Sequence, residues 1–224
     1  MHVIAVLNQK GGSGKTTIAT HLARALQLGG ADTLLIDSDP QGSARDWAAV
    51  RDSQEVTVVG IDRPTIERDL RNVASKEFVV IDGAPQTASL AISAIKAASL
   101  VLVPVQPSPY DIWAAADLVD IIKDRIDVTD GALKAAFVIS RAITGTKIGA
   151  EVREALAGYG LPILSTVITQ RVIYPSTAAM GTTAMDLAPE TSAAMDMMAL
   201  AAEVKSILIG VNEYATTTQE VALC

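Results

Sequence analysis

The sequence predicts an α/β fold, a mostly parallel sheet with helices on both faces. Three observations predict it. Apolar runs rich in Val, Ile and Leu alternate along the chain with segments of helical periodicity. The runs are close to continuously apolar, as strands covered on both faces must be. Half of the 224 residues are hydrophobic and only 4% are aromatic, which suits a sizeable core of branched aliphatics and alanine.

The elements follow in order. Strands are expected over 3–7, 33–37, 56–61, 78–82, 100–105, 133–139 and 163–168, with helices over 14–28, 65–74, 88–97, 111–126, 148–158 and 192–209. Gly29-Gly30 stops the first helix, and Gly158 and Gly160 stop a later one. No repeat, linker or compositional break interrupts the alternation. One domain is therefore expected over 1–210, with the polar 211–224 as a flexible tail.

Composition excludes several classes. The single cysteine, Cys224, allows no disulfide framework and no cysteine-based metal site, and it fits a reducing cytoplasm. No run reaches the ~18 apolar residues of a transmembrane helix. The first strand starts so close to Met1 that no signal peptide is expected. A net charge of -7 rules out nucleic-acid binding by overall charge and leaves only a local basic patch.

The most specific segment runs from the first strand through Lys10-Gly11-Gly12-Ser13-Gly14-Lys15-Thr16-Thr17 into a helix. The three glycines lack a Cβ, so successive N–H groups can converge on an anion, and the helix adds its positive end. Lys15 would then reach β- and γ-phosphates, and the Thr16 hydroxyl could ligate Mg²⁺. This is the strand–loop–helix expected of a P-loop ATPase that would bind ATP with Mg²⁺. Gln9 stands where the usual pattern begins with glycine, and a second lysine, Lys10, precedes the glycines. Its own phosphates would already be enclosed by Lys15 and backbone N–H groups. The simplest target for Lys10 is therefore a phosphate in a facing subunit, the alternative being a solvent-facing lysine at a turn. Two acidic stations follow at strand ends, where open α/β sheets bind ligands. The second strand ends in Asp37-Ser-Asp39-Pro-Gln, and Phe78-Val-Val-Ile-Asp82 has the form of a Walker B strand. Asp37 and Asp82 are read as orienting the metal, directly or through water, and Asp39 as positioning the attacking water. The alternative for Asp37 and Asp39 is a capped loop before a helix containing Trp47.

Together, Lys10-Gly-Gly-Ser-Gly-Lys-Thr-Thr, Asp37-Ser-Asp-Pro-Gln and Ile81-Asp82-Gly-Ala resemble the deviant Walker A family of P-loop ATPases. Within it the chain is similar to ParA-type partition ATPases, over nearly its whole length. Val103-Pro-Val-Gln-Pro-Ser-Pro-Tyr-Asp111 and Ile168-Thr-Gln-Arg-Val172 point to the short, ParF-like branch. The resemblance implies a cytoplasmic, nucleoid-associated switch that segregates plasmids or chromosomes. Two subunits would sandwich two ATP molecules, with Lys10 acting across the homodimer. The ATP dimer would bind DNA non-specifically, and a small centromere-binding adaptor would stimulate hydrolysis to ADP. Longer relatives carry Ile-Pro-Arg-Asn where this chain has Ile168-Thr-Gln-Arg171, so Thr169 and Arg171 are candidate adenine contacts, and Arg171 could equally face DNA. A ParA-like positioner of another cargo shares this chemistry. A MinD-like membrane switch would need a basic amphipathic C-terminal helix, which 198–210 with one lysine does not supply. No membrane partner is expected.

Weaker features complete the reading. Pro104, Pro107 and Pro109 stiffen a segment that either lines the nucleotide or dimer face, or forms a rigid loop with Asp111 as helix N-cap. Arg125, Lys134, Arg141, Lys147, Arg153, Arg171 and Lys205 are candidates for a DNA patch or for ordinary solvated surface. His2 and His21 are expected to be structural, and Met195, Met197 and Met198 to be core.

Overall fold

Alternate strand residues feed two separate cores, one on each face of a single sheet. A computed structural model of the protein describes residues 1–51, 55–73, 76–85, 87–143 and 148–210, with only the backbone for 148–150. The expected tail over 211–224 lies outside the described residues. The elements are β1 (His2–Val6), α1 (Lys15–Leu28), β2 (Thr33–Asp37), α2 (Ser43–Ala49), β3 (Thr57–Gly60), α3 (Ile66–Leu70), β4 (Phe78–Asp82), α4 (Ala88–Ala97) and β5 (Leu100–Val105). They continue with α5 (Pro109–Trp113), α6 (Ala116–Val128), β6 (Lys134–Ala142), α7 (Ile148–Ala157), β7 (Ile163–Thr169), α8 (Ile173–Ala179), α9 (Ala184–Leu187) and α10 (Ser192–Ile209).

The strands lie in the order β3-β2-β4-β1-β5-β6-β7, and every pairing is parallel. Ile4 and Val6 of β1 pack with Ile18 and Leu22 of α1 and Leu200 and Val204 of α10 on one face. Val3 and Ala5 pack with Ile66, Leu118, Ile122 and Leu156 on the other. Central strands β2, β4 and β5 are buried throughout, whereas β3 is a largely exposed edge. Pro104 sits inside β5, where a missing N–H would normally break the ladder. Pairing with β1 ends at Leu102, and beyond it the Asn8 side chain donates to the Pro104 carbonyl at 2.6 Å. A side chain thus continues the ladder after the β1 backbone has turned away.

Several expectations are corrected. The helix expected over 111–126 is two helices, α5 and α6, because the ladder tightens where Ala115 N donates to Ile112 O. Asp111 is not the N-cap: Ser108 is, with Pro109 at the first helical position. The helix expected over 65–74 is α-helical only over Ile66–Leu70 and closes through i→i−3 bonds from Arg71, Asn72 and Val73. Met197 is core, but Met195 and Met198 are 63% and 42% exposed. Both histidines are structural. His2 packs against the Phe78 ring at 5.4 Å. Buried His21 donates from Nδ1 to the Thr17 carbonyl at 2.8 Å and accepts from Ala184 N through Nε2 at 3.1 Å.

Candidate active site

β1 delivers the glycine loop to the carboxyl edge of the sheet, between the ends of β4 and β5, where the strand order changes direction. Gly12 and Gly14 have φ of 76° and 90°, a backbone that side chains rarely adopt. α1 then starts at Lys15 with no side-chain cap, so its first N–H groups are left to an external anion. Gly12 and Ser13 are fastened through their carbonyls. Ser140 Oγ donates to Ser13 O at 2.8 Å, Arg141 Nη1 to Gly12 O at 2.8 Å, and Gln106 Nε2 to Gly12 O at 3.0 Å. Asn8 Oδ1 accepts from Lys10 N, which sets the first turn.

Beside the loop stand the acidic stations. Asp82 closes β4 in register with Val6 and with Asp37. It is fully buried, and neither carboxylate oxygen has a hydrogen-bond partner. Burial above all pushes its acid up to about 7; the Asp37 and Asp39 charges add to this, and the Thr16 hydroxyl and Lys15 oppose it. Lys15 is buried too. Desolvation lowers its ammonium below the usual range against the pull of Asp82 and Asp39, and its Nζ donates to Lys10 O at 3.0 Å. Asp37 is engaged differently: Oδ1 accepts from Asp39 N at 3.0 Å and Oδ2 from Arg45 N at 2.9 Å. Both oxygens thus tie down the loop that follows β2. Asp39 is half-buried, lines the cleft and accepts from Gln41 N through Oδ1.

A cleft of about 860 Å³ opens over the loop, lined by Lys15 and Asp39 but not by Asp37 or Asp82. Gly11, Gly12, Gly14, Lys15, Thr16, Thr17 and Asp39 form one wall, and Thr169, Arg171, Val172 and Tyr174 the other. Thr169 Oγ1 is buried without a partner, and the Arg171 guanidinium lies 3.6 Å from Asp196. Ser13 is buried behind the loop. Lys10 points away from the cleft, with Nζ 2.7 Å from Asp111, a buried carboxylate whose second oxygen has no partner. Its ammonium is therefore paired within the chain rather than simply solvated at a turn.

Sequence reading missed Asn8, Arg45 and Ser140, and it placed Arg141 and Asp111 in other roles. Arg141 carried one signal, a basic residue at a strand end. It adopts a positive φ of 53°, and its Nη1 donates to the glycine loop. Four other patch candidates are also engaged within the chain. Lys134 bonds the Ile207 carbonyl, Arg153 those of Leu164 and Ser165, and Arg171 pairs with Asp196. Lys205 lies over the Phe78 ring. Lys147 lies outside the described residues.

The family model for the CobQ/CobB/MinD/ParA nucleotide binding domain matches residues 4–184. Maintenance of carboxysome distribution protein A of Halothiobacillus neapolitanus is 30% identical over 199 residues, covering 86% of this chain and 91% of that protein. Chromosome-partitioning ATPase Soj of Thermus thermophilus is 29% identical over 234 residues, covering 90% and 94%. Among solved structures, the cell division ATPase MinD of Pyrococcus furiosus superposes with a TM-score of 0.72 at 20% identity, covering 92% of this chain and 99% of that one. Cobyrinic acid a,c-diamide synthase from Mycobacterium smegmatis, with a bound ATP analog and magnesium, gives 0.73 at 22% identity, covering 94% and 97%. The two structures speak for the fold; with the family match and the two relatives, the chain belongs to the CobQ/CobB/MinD/ParA nucleotide-binding family, as a ParA-type member.

Proposed function

We propose that the protein is a Mg²⁺-dependent ATPase switch that binds ATP in the cleft, pairs with a second copy in that state and positions a cargo along DNA. The carrying observation is Asp82. A fully buried carboxylate with two unpartnered oxygens, beside Lys15 and Thr16 and under an uncapped helix start, is costly unless a cation completes it. The residues fit the group. Thr16 and Asp82 would hold Mg²⁺, the latter directly or through water. Gly11 to Thr17 would cradle the phosphates, and Thr169 and Arg171 would meet the base. Bound there, the ion would neutralise charge on the terminal phosphates. Lys15 is desolvated and so offers its charge at full strength. Asp39, on the cleft wall, would orient the attacking water. Asp37 would keep that loop in shape.

The relatives divide over cargo: one is named for carboxysome distribution, the other for chromosome partitioning. Identity is higher for the first and cover for the second, which does not separate them, so the proposal is a DNA-tracking positioner whose cargo a small adaptor selects. Calorimetry with Mg-ATP tests the site. The parent should bind, and Lys15→Ala and Thr16→Ala should lose binding at micromolar nucleotide while keeping the parent's circular dichroism. Undiminished affinity in Lys15→Ala would refute the phosphate assignment. Filter retention of random duplex tests the track. Retention should require ATP, and with six phosphate contacts it should weaken by ~10³-fold or more between ~50 and ~200 mM salt. No ATP-dependent retention at low salt would remove DNA from the proposal.

A further inference from the structure

Arg45, in the first turn of α2, does not line the cleft, yet it ties together the acidic loop beside it. Its Nε lies 3.4 Å from Asp37 Oδ2, Nη2 donates to the Asp39 carbonyl at 3.0 Å, and Nη1 lies 3.6 Å from Asp62. The same Asp39 carbonyl accepts from Gly42 N at 2.9 Å, so two donors clamp one peptide. Room for the guanidinium comes from two glycines. A Cβ on Gly60 at the end of β3 would stand 2.9 Å from Arg45 Cδ and 3.0 Å from Nη1. A Cβ on Gly42 would stand 3.3 Å from Nε and Nη2. Edge strand, loop and helix are therefore built around this one side chain.

We propose that Arg45 is a positioning residue for hydrolysis: it fixes the Asp39 peptide, and with it the carboxylate on the cleft wall, by bridging Asp37, Asp39 and Asp62. This rests on the ATPase reading above. A planar guanidinium can face Asp37 and the Asp39 carbonyl at once through separate donors in a rigid fork. A lysine can neutralise Asp37 but cannot hold both. Misplacing a reacting group by about an ångström commonly costs one to two orders of magnitude in rate.

The test uses the full chain carrying Arg45→Lys or, from the far side, Gly60→Ala. Steady-state phosphate release should show kcat lowered ~10-fold or more, with KM for ATP within about threefold of the parent. Hydrogen exchange of nucleotide-free Arg45→Lys should show the Gly42 amide opening ~10-fold faster or more, with the β1 and β4 amides unchanged. An unchanged Gly42 amide overturns the proposal. So does a faster amide with kcat within twofold of the parent, and so does a KM that rises as far as kcat falls, which marks a general structural clamp. A parent that releases no phosphate would overturn the ATPase reading, and the exchange arm would then decide alone whether Arg45 fixes the turn.

Discussion

Asp37 and Asp39 stand two residues apart and are engaged differently. Asp37 is fully buried, and both of its oxygens receive backbone N–H groups, the pattern of a loop-capping carboxylate. Asp39 is half-buried and faces the cleft. If it orients water, Asp39→Ala should bind Mg-ATP with nearly parental affinity and pair with a second copy, but turn over ~10²-fold more slowly. Full phosphate release by this variant would sink the role. The contrast also shows what local pattern can carry. Lys15, Thr16, Asp39 and Asp82 are legible because strand, turn and helix chemistry meet within a few neighbouring residues. Asn8 to Pro104, Ser140 to Ser13 and Arg141 to Gly12 join residues 96, 127 and 129 apart in sequence, and no local periodicity encodes such pairs. Nor does the sequence distinguish a carboxylate that caps its own loop from one that faces outward.

Helix α1 carries the glycine loop at one end and is pinned through His21 at its middle. Nδ1 holds its proton toward the Thr17 carbonyl, so Nε2 is the acceptor for Ala184 N at the start of α9. Protonating the ring would set an N–H against an N–H. Burial lowers the His21 pKa from its ordinary 6.5 to about 4, with the Thr17 carbonyl and Asp186 pulling the other way. Since the folded value is depressed, His21 adds stability that is fully present above pH 6.5 and is lost as pH falls through about 4, where the unfolded chain has already taken its proton. The loss is roughly 3 kcal/mol. Urea titrations of His21→Gln should start less stable at pH 7 but lose about that much less than the parent between pH 6.5 and 4. Parallel pH curves would contradict this account. Two glycines make a second contrast. A Cβ on Gly83 would lie 2.4 Å from Leu7 Cδ2 and 2.8 Å from Val6 O, where β4 and β1 end together; one on Gly11 would meet nothing within 4 Å. Gly83→Ala should therefore lower stability by ~1–3 kcal/mol, and Gly11→Ala should leave the urea midpoint close to the parent's. Equal midpoints for the two variants would contradict the packing argument. At this scale the strands and the long helices were legible, and the short helices α8 and α9 were not. Strands 33–37, 78–82 and 100–105 and helices 88–97 and 192–209 match to the residue. α8 and α9, of seven and four residues, are too short for a periodic signal and are held by tertiary bonds such as Trp47 Nε1 to Thr182 O.

For the whole molecule, the proposed pairing asks how one subunit would sense nucleotide in another, and Lys10 is where the structure bears on it. The ammonium sits 2.7 Å from Asp111, which is 5% exposed and has a second oxygen without a partner. To act across a dimer, Lys10 must leave that carboxylate. Breaking such a pair strands a buried carboxylate, at a cost reduced by the 39% exposure of the Lys10 side chain. A doubly charged terminal phosphate in the facing subunit can offset that cost, but an ADP end offers less charge at a greater distance. The balance should therefore favour the pair within one chain after hydrolysis and the contact between chains before it. Two copies also bring together twice the net charge of -7, so association needs a specific attraction of this kind. Lys10→Ala should keep ATP binding, because Lys15 and the loop remain, yet pair weakly and turn over slowly. In the proposed dimer the missing ammonium would be the equivalent of an arginine finger, worth ~10³-fold or more elsewhere. Asp111→Asn should act in the opposite sense on assembly, since nothing holds Lys10 back: light scattering should find its dimer at lower protein concentration with ATP and persisting further into ADP. If Lys10→Ala pairs and hydrolyses like the parent, Lys10 is only the partner of Asp111. If Asp111→Asn leaves the dimer's nucleotide dependence untouched, leaving Asp111 is not what limits assembly.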